Sequence, residues 1–349
     1  MHKFLHSLKA GLFIASFLFL WGCSQPQDYI KLQGPIFGTQ FHITYKDPST
    51  GVSKDVIYSD IQTRLHQLDL IFSTYKSSSD ISRFNKLTVA NRVTSAEYPS
   101  LVVSPEFIEV LELARAIFAD SNQAFNPAIG PLVELWGFGS KLSLDNFEST
   151  PDRAEITKGL TFIDFQAVKN DGLRVYKTHQ VRIDFSAIAK GYAVDQIVLL
   201  LKSFNIEHFM VEIGGELVTS GVNNNGTNWK IGIEKPDALA GITADVLSLQ
   251  SSALATSGDY RNYFDIDGVR YSHTIDPRTG YPVTHNLASV TVLADTSAQA
   301  DAWATAFMVL GAEEGVKLAK QKGLSCLFII REGKTYRAVT TAEFNTFTQ

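Results

Sequence analysis

The sequence predicts an α+β fold, organised as one large domain, and three observations carry that expectation. Helix-period and strand-period segments interleave along the chain without a regular βαβ repeat, which argues against a doubly wound parallel sheet. No internal repeat, low-complexity tract or composition shift divides residues 34–345. The 349 residues are 45% hydrophobic and 19% charged, enough apolar material for a sizeable core. The formal net charge of −5 gives no basic surface of the kind a nucleic-acid partner needs.

The elements follow in order. His2, Lys3, His6 and Lys9 precede an apolar run from Ala10 to Trp21, which ends at Gly22-Cys23-Ser24. The run is short for a membrane span, and a small residue before a cysteine suits cleavage after lipidation. Residues 1–22 therefore read as a lipoprotein signal peptide, with a lipid on Cys23 and residues 23–33 as a short tether. That places the protein on the periplasmic face of a bacterial membrane, inner or outer. Cys23 and Cys326 are the only cysteines, so lipidation of the first leaves no internal disulfide. Cys326 lies in the apolar run Ser325–Ile330 and reads as a buried thiol.

Gly38–Tyr45 alternates as a strand does, and Ser59–Phe72 carries Ile61, Leu65, Leu68 and Ile71 on one helical stripe. A second helix spans Pro105–Ser121 behind Ser104 as a cap. Gln180–Phe185 reads as a short strand feeding a helix over Ala187–Phe204, and Phe209–Ile213 as a buried strand ending at Gly214-Gly215. Further strands are expected at Trp229–Ile233, Ser289–Leu293 and Cys326–Ile330, with helices over Ser297–Leu310 and Gly315–Lys322.

Several segments carry groups suited to chemistry. His273-Thr274-Ile275-Asp276-Pro277-Arg278-Thr279-Gly280-Tyr281-Pro282 gathers an imidazole, a carboxylate, a guanidinium and hydroxyls in ten residues that end in turn formers. It reads as a rigid polar loop at an active site, although a surface turn held by Asp276 has the same composition. Asp301 and Thr305 stand four apart on a predicted helix, so both oxygens project from one face. Hard oxygens at that spacing suit Mg²⁺ with waters and phosphate completing the shell; the bland reading is a helix-capping Asp and a Thr bonded back to a carbonyl.

Asp184 through Lys190-Gly191 places a carboxylate before a helix and a lysine in its first turn, where unpaired N–H groups and a cation receive phosphate. The flanking glycines of a Walker loop are absent. A capped helix with a solvated lysine is the alternative. Phe125–Leu132 and Leu135–Gly139 form an aromatic stretch punctuated by Gly and Pro that suits a flat ring or simple packing. Ser73-Thr74-Tyr75 offers another aromatic beside hydroxyls.

Taken in order, these segments resemble the ApbE family of flavin transferases, which move FMN from FAD onto a protein hydroxyl. The resemblance covers nearly the whole mature chain: Phe37-Gly38-Thr39, Ser73-Thr74-Tyr75, Phe125-Asn126-Pro127, Trp136-Gly137-Phe138-Gly139, Asp184 to Gly191, Gly214-Gly215-Glu216, Ala255 to Tyr260, the His273–Pro282 loop and Asp301 to Thr305. Phe37 stands where the family often has Met, and Asn126 where many members have Asp. The resemblance implies a mixed α/β, T-fold-related domain over residues 34–345, with two lobes around a flavin cleft. FAD, as substrate, would be lined by Phe37, Tyr75, Ala124, Phe125, Asn126, Asp184, Lys190 and the backbone near Ile275. Mg²⁺ would sit between Asp301, Thr305 and the carbonyl of Ala187.

The implied reaction is Mg²⁺-dependent transfer of FMN to a Thr or Ser hydroxyl of an acceptor, such as a flavin-carrying subunit of a membrane redox complex, with release of AMP. Lys190 would neutralise the pyrophosphate. His273 is the candidate base because its ordinary pKa lies near neutrality, and Asp276 would orient it or the loop. Two other readings remain open at this level: a Mg²⁺-dependent FAD pyrophosphatase giving FMN and AMP, and a non-catalytic FAD-binding lipoprotein.

Overall fold

In the main sheet, neighbours in space are also neighbours in chain order, all antiparallel: β1 (Tyr29–Ile36), β2 (Thr39–Lys46), β3 (Phe209–Ile213), β4 (Glu216–Ser220), β5 (Ser252–Gly258), β6 (Leu287–Ala294), β7 (Ser325–Glu332) and β8 (Thr335–Thr340). The computed structural model describes residues 29–49, 51–90, 98–139, 150–234, 236, 243–259, 263–266 and 269–347. The signal peptide and Cys23 lie outside them. The tether assignment is corrected in part: Tyr29 to Gln33 belong to β1, where Tyr29 pairs with Lys46 and Gln33 with His42.

Long insertions interrupt this meander. Between β2 and β3 come helices α1 (Lys54–Phe72), α2 (Asp80–Lys86), α3 (Pro105–Asp120), α4 (Gly130–Leu135), α5 (Arg153–Leu160) and α6 (Ser186–Ser203); α7 (Ser297–Lys322) connects β6 to β7. The helical stripe predicted for the first of these holds, since Ile57, Ile61, Leu65 and Leu68 are fully buried in the core shared with α3, α6 and α7. Ser53 caps it and extends it five residues upstream of the expected start at Ser59. The opposite face of the sheet packs on a ribbon of Trp229–Glu234 with Thr243–Leu249, whose Trp229, Ile231 and Ile233 point inward at period two. Both faces being covered explains why β6 is apolar almost throughout. This is the expected α+β architecture, and Cys326 is fully buried in it.

Two element expectations change. Gln180–Phe185 forms no regular element and joins no ladder. The Asn85 side chain binds both the N–H and the C=O of Ile183, at 2.8 Å each, and the Asp184 N–H donates to the Pro127 carbonyl at 2.7 Å. Side chains and loops thus satisfy a backbone that a strand neighbour would otherwise pair. The two helices expected over Ser297–Leu310 and Gly315–Lys322 run almost into each other, separated only at Gly311 with φ 76°. His285 binds the Met308 carbonyl freed there, at 2.8 Å.

Candidate active site

The turns β1–β2 and β3–β4 and the β5–β6 connection all lie at one end of the meander, and that end builds the site. Phe37 (φ 50°) and Gly38 (φ 73°) form a two-residue hairpin turn. A bulky residue in the left-handed region costs on the order of 1–2 kcal/mol, a strain typical of functional positions. Gly214 (φ 62°) and Gly215 (φ 107°) form the adjacent turn. A Cβ on Gly214 would lie 2.9 Å from Thr39 Cγ2 and 3.5 Å from Lys190 Cδ, so the two turns and the lysine stem are in contact.

Antiparallel α6 and α7 set the rest. Gly191 is required where they touch, because a Cβ there would lie 2.3 Å from the Ser297 carbonyl oxygen. Asp195 accepts the Ser297 and Ala298 N–H groups at 2.8 and 2.9 Å, and Asp301 Oδ2 accepts the Gly191 N–H at 3.1 Å. Thr305 follows Asp301 by one turn on the same side of α7. In a helix the Gly191 N–H also points at the Ala187 carbonyl, so Asp301 lies beside that oxygen. Helix pairing thus sets Asp301, one of the residues implied as metal ligands, at the first turns of α6.

Lys190 lies at the fifth position of α6, one residue further in than expected, and its Nζ donates to Glu216 Oε1 at 2.6 Å. Glu216 is 3% exposed, and its Oε2 has no hydrogen-bond partner among the described residues. Burial pushes its pKa up, as does the charge of Asp301, while Lys190 opposes the shift. Burial likewise raises the pKa of Asp301, against the pull of Lys190. Burial holds Asp195 at about 6, although its two backbone hydrogen bonds act the other way. Sequence reasoning assigned no role to Glu216, Asp195 or the Gly191 contact. The available signal for Glu216 was a carboxylate directly after Gly-Gly at the end of a buried strand.

The expected FAD-lining residues divide. Asp184 Oδ1 accepts the N–H of Ser186, the first residue of α6, at 2.7 Å. Tyr75 is 76% exposed, and Phe37 is half-buried beside the core. The side chains of Ala124 and Phe125 are buried in the main core, which leaves their backbone as the part that can face a ligand. Asn126 is similarly committed, its Oδ1 accepting the Ala128 N–H at 2.9 Å and its Nδ2 donating to the Ile163 carbonyl at 3.1 Å.

The His273 loop forms a second cluster over α4 and α5. Ile275 is buried with Leu132, Trp136 and Ile156, and its backbone bridges Pro282. Trp136 Nε1 donates to the Gly280 carbonyl at 2.8 Å, and its ring stacks on Tyr271 with centroids 5.7 Å apart. His273 is half-buried, edge-on to Phe138 at 6.3 Å. Both oxygens of Asp276 bind the Arg278 guanidinium at 2.9–3.2 Å, and Oδ1 also accepts the Arg278 N–H at 2.8 Å. These bonds hold the turn from Asp276 to Arg278 in one shape. Arg182, two residues before Asp184, pairs bidentately with Glu134 of α4 at 2.6 Å and so ties this cluster to the start of α6.

A model of the ApbE family matches residues 37–328. The chain belongs to the ApbE family. A FAD:protein FMN transferase from Vibrio cholerae is 36% identical to this ApbE-family chain over 335 residues, covering 96% of it and 97% of the relative. The FAD:protein FMN transferase of Escherichia coli K12 is 32% identical over 345 residues, covering 96% and 95%. Among solved structures, the flavin transferase ApbE from Vibrio cholerae superposes with a TM-score of 0.83 at 32% identity, covering 92% of this chain and all of the other. The apo form of the Pseudomonas stutzeri flavinyl transferase ApbE gives 0.83 at 35% identity, covering 92% and 97%.

Proposed function

We propose that this ApbE-family protein transfers FMN from FAD to a Thr or Ser hydroxyl of an acceptor protein, forming a phosphoester and releasing AMP, with Mg²⁺ as its metal. The observation that carries the reading is the pair of contacts at the start of α6, Lys190 with the buried Glu216 and buried Asp301 with the Gly191 N–H. The donor set fits Mg²⁺. Two buried carboxylates face one ammonium, which leaves a negative charge for a cation to balance, and Asp301 Oδ1 accepts no hydrogen bond from a described residue. No group of three His, Cys, Asp or Glu side chains forms a cage among the described residues, as suits an ion that keeps waters and takes substrate phosphate.

Mg²⁺ held by Asp301, Thr305 and the Ala187 carbonyl would offset the charge that develops on the pyrophosphate. Lys190 supplies a fixed ammonium to the same group, and the α6 N-terminus adds its partial positive charge. The acceptor oxygen attacks the phosphorus on the riboflavin side. A new P–O bond forms, the bond to the bridging oxygen breaks, and that oxygen leaves on AMP with the electron pair. His273 is the group assigned to take the hydroxyl proton. Tyr75 offers an exposed ring for stacking, and Asp276 with Arg278 keeps the His273 loop in one shape.

The lipid on Cys23 would anchor the enzyme at the periplasmic face, near acceptors such as flavin-carrying subunits of membrane redox complexes. Among the described residues no helix is long and apolar enough to cross a membrane. Incubating the purified protein with FAD, Mg²⁺ and a candidate acceptor tests the reaction through in-gel flavin fluorescence and an added FMN mass on one Thr or Ser. Mg²⁺-dependent labelling supports the transferase. FMN and AMP released without label would favour the pyrophosphatase, and intact FAD throughout would favour a binding protein.

A further inference from the structure

Glu216 is poorly explained as a simple partner for Lys190. Its Oε1 takes the Lys190 ammonium at 2.6 Å, yet Oε2 is buried and unpartnered among the described residues. A structural ion pair at 3% exposure would satisfy both oxygens, because an unpaired buried carboxylate oxygen forfeits its hydration without return. The backbone is also arranged to put this side chain where it is. Gly214 and Gly215 take left-handed conformations that favour glycine, and Glu216 follows them immediately at the first position of β4. Asp301, whose charge bears on Glu216, binds the next residue after Lys190.

We propose that Glu216 is a positioning residue of the metal site: Oε1 holds Lys190 in place, and Oε2 accepts a hydrogen bond from a water in the hydration shell of the Mg²⁺ held by Asp301. This rests on the Mg²⁺ reading given above. The residue fixes the lysine and the cation relative to each other, two charges that must both face the pyrophosphate without displacing one another. Removing an outer-shell partner of this kind typically weakens metal affinity 10–100-fold.

Mg²⁺ alone, titrated into metal-free protein and followed by thermal melting, reads the site without turnover, since a ligand of the folded state raises the melting temperature with its concentration. Four proteins form a cycle: wild type, Glu216→Gln, Lys190→Met and the double variant. The double variant guards against misfolding, because losing both members of a buried pair is tolerated better than losing one. We expect Glu216→Gln to raise the Mg²⁺ midpoint about 10-fold, and the double variant to be raised likewise relative to Lys190→Met. Lys190→Met, which removes a competing cation, should lower it. Midpoints within threefold in both comparisons, or equal increases in Glu216→Gln and Lys190→Met, would overturn the role and leave the metal site standing. A wild-type protein that Mg²⁺ does not stabilise would overturn the metal reading and this inference together.

Discussion

Replacing Gly191 by Ala tests the helix contact on which the site depends. The new Cβ would meet the Ser297 carbonyl oxygen at 2.3 Å, its carbon at 2.5 Å and Ala298 Cα at 2.8 Å, all backbone atoms that no rotamer change can move aside. Relief requires α6 and α7 to separate by about 1 Å, the shortfall from ordinary van der Waals contact. That motion stretches the Asp301–Gly191 bond of 3.1 Å and the Asp195 bonds of 2.8 and 2.9 Å together. Overpacking costs about 1–3 kcal/mol, and each weakened charge-assisted bond adds about 1 kcal/mol. Against this, Ala favours a helix over Gly by about 1 kcal/mol. The balance is a loss of about 3–5 kcal/mol, or roughly 5–10 °C in melting temperature for a chain of this size. Calorimetry or urea unfolding reads it directly, and the Mg²⁺ midpoint should rise because Asp301 is drawn away from the start of α6. If Gly191→Ala melts at or above the wild-type temperature, helix propensity has won and the close-contact argument is wrong.

His273→Ala should bind FAD normally while transfer slows by about 10²–10⁴, the usual contribution of a positioned base; transfer at the wild-type rate in a single-turnover assay would remove His273 from that role. Asp301→Asn and Thr305→Val should each raise the Mg²⁺ needed for half-maximal labelling, and unchanged dependence in both would sink the ligand assignment. Tyr75→Ala should weaken FAD binding by about 1–3 kcal/mol, the value of an aromatic stack, with no change in melting temperature because the ring is 76% exposed; unaltered affinity in fluorescence titration would place Tyr75 outside the flavin site. Lys177 is fully buried against the Val181 and Asn85 carbonyls, and burial with the nearby Arg182 charge lowers its pKa to about 8. Between about pH 8 and 10.5 the unfolded chain keeps a proton the folded protein has lost, so stability should rise with pH in that window, by up to about 3 kcal/mol relative to Lys177→Met. Urea unfolding across that range checks it, and a flat difference would show that Lys177 is not lowered.

The sequence by itself determined the features that repeat within a turn or a strand. Period 3.6 over Ser59–Phe72 and period 2 over Trp229–Ile233 are local consequences of burying one face, and both segments form as read. The pairing of Asp301 with Thr305 was legible for the same reason, since a helix sets residues four apart on one side. Only the tertiary structure decided what those groups face. The Gln180–Phe185 segment has the pattern of a strand, but Asn85, nearly a hundred residues away, takes its hydrogen bonds. Ala124 and Phe125 carry the family motif, yet the core claims their side chains. Asp301 meets the Gly191 N–H because Gly191 lets α6 approach α7, and Lys190 meets Glu216 because a glycine turn swings β4 beneath it. Such contacts join residues far apart in the chain, and no period or propensity encodes them; they exist only once close packing has fixed the distance between elements.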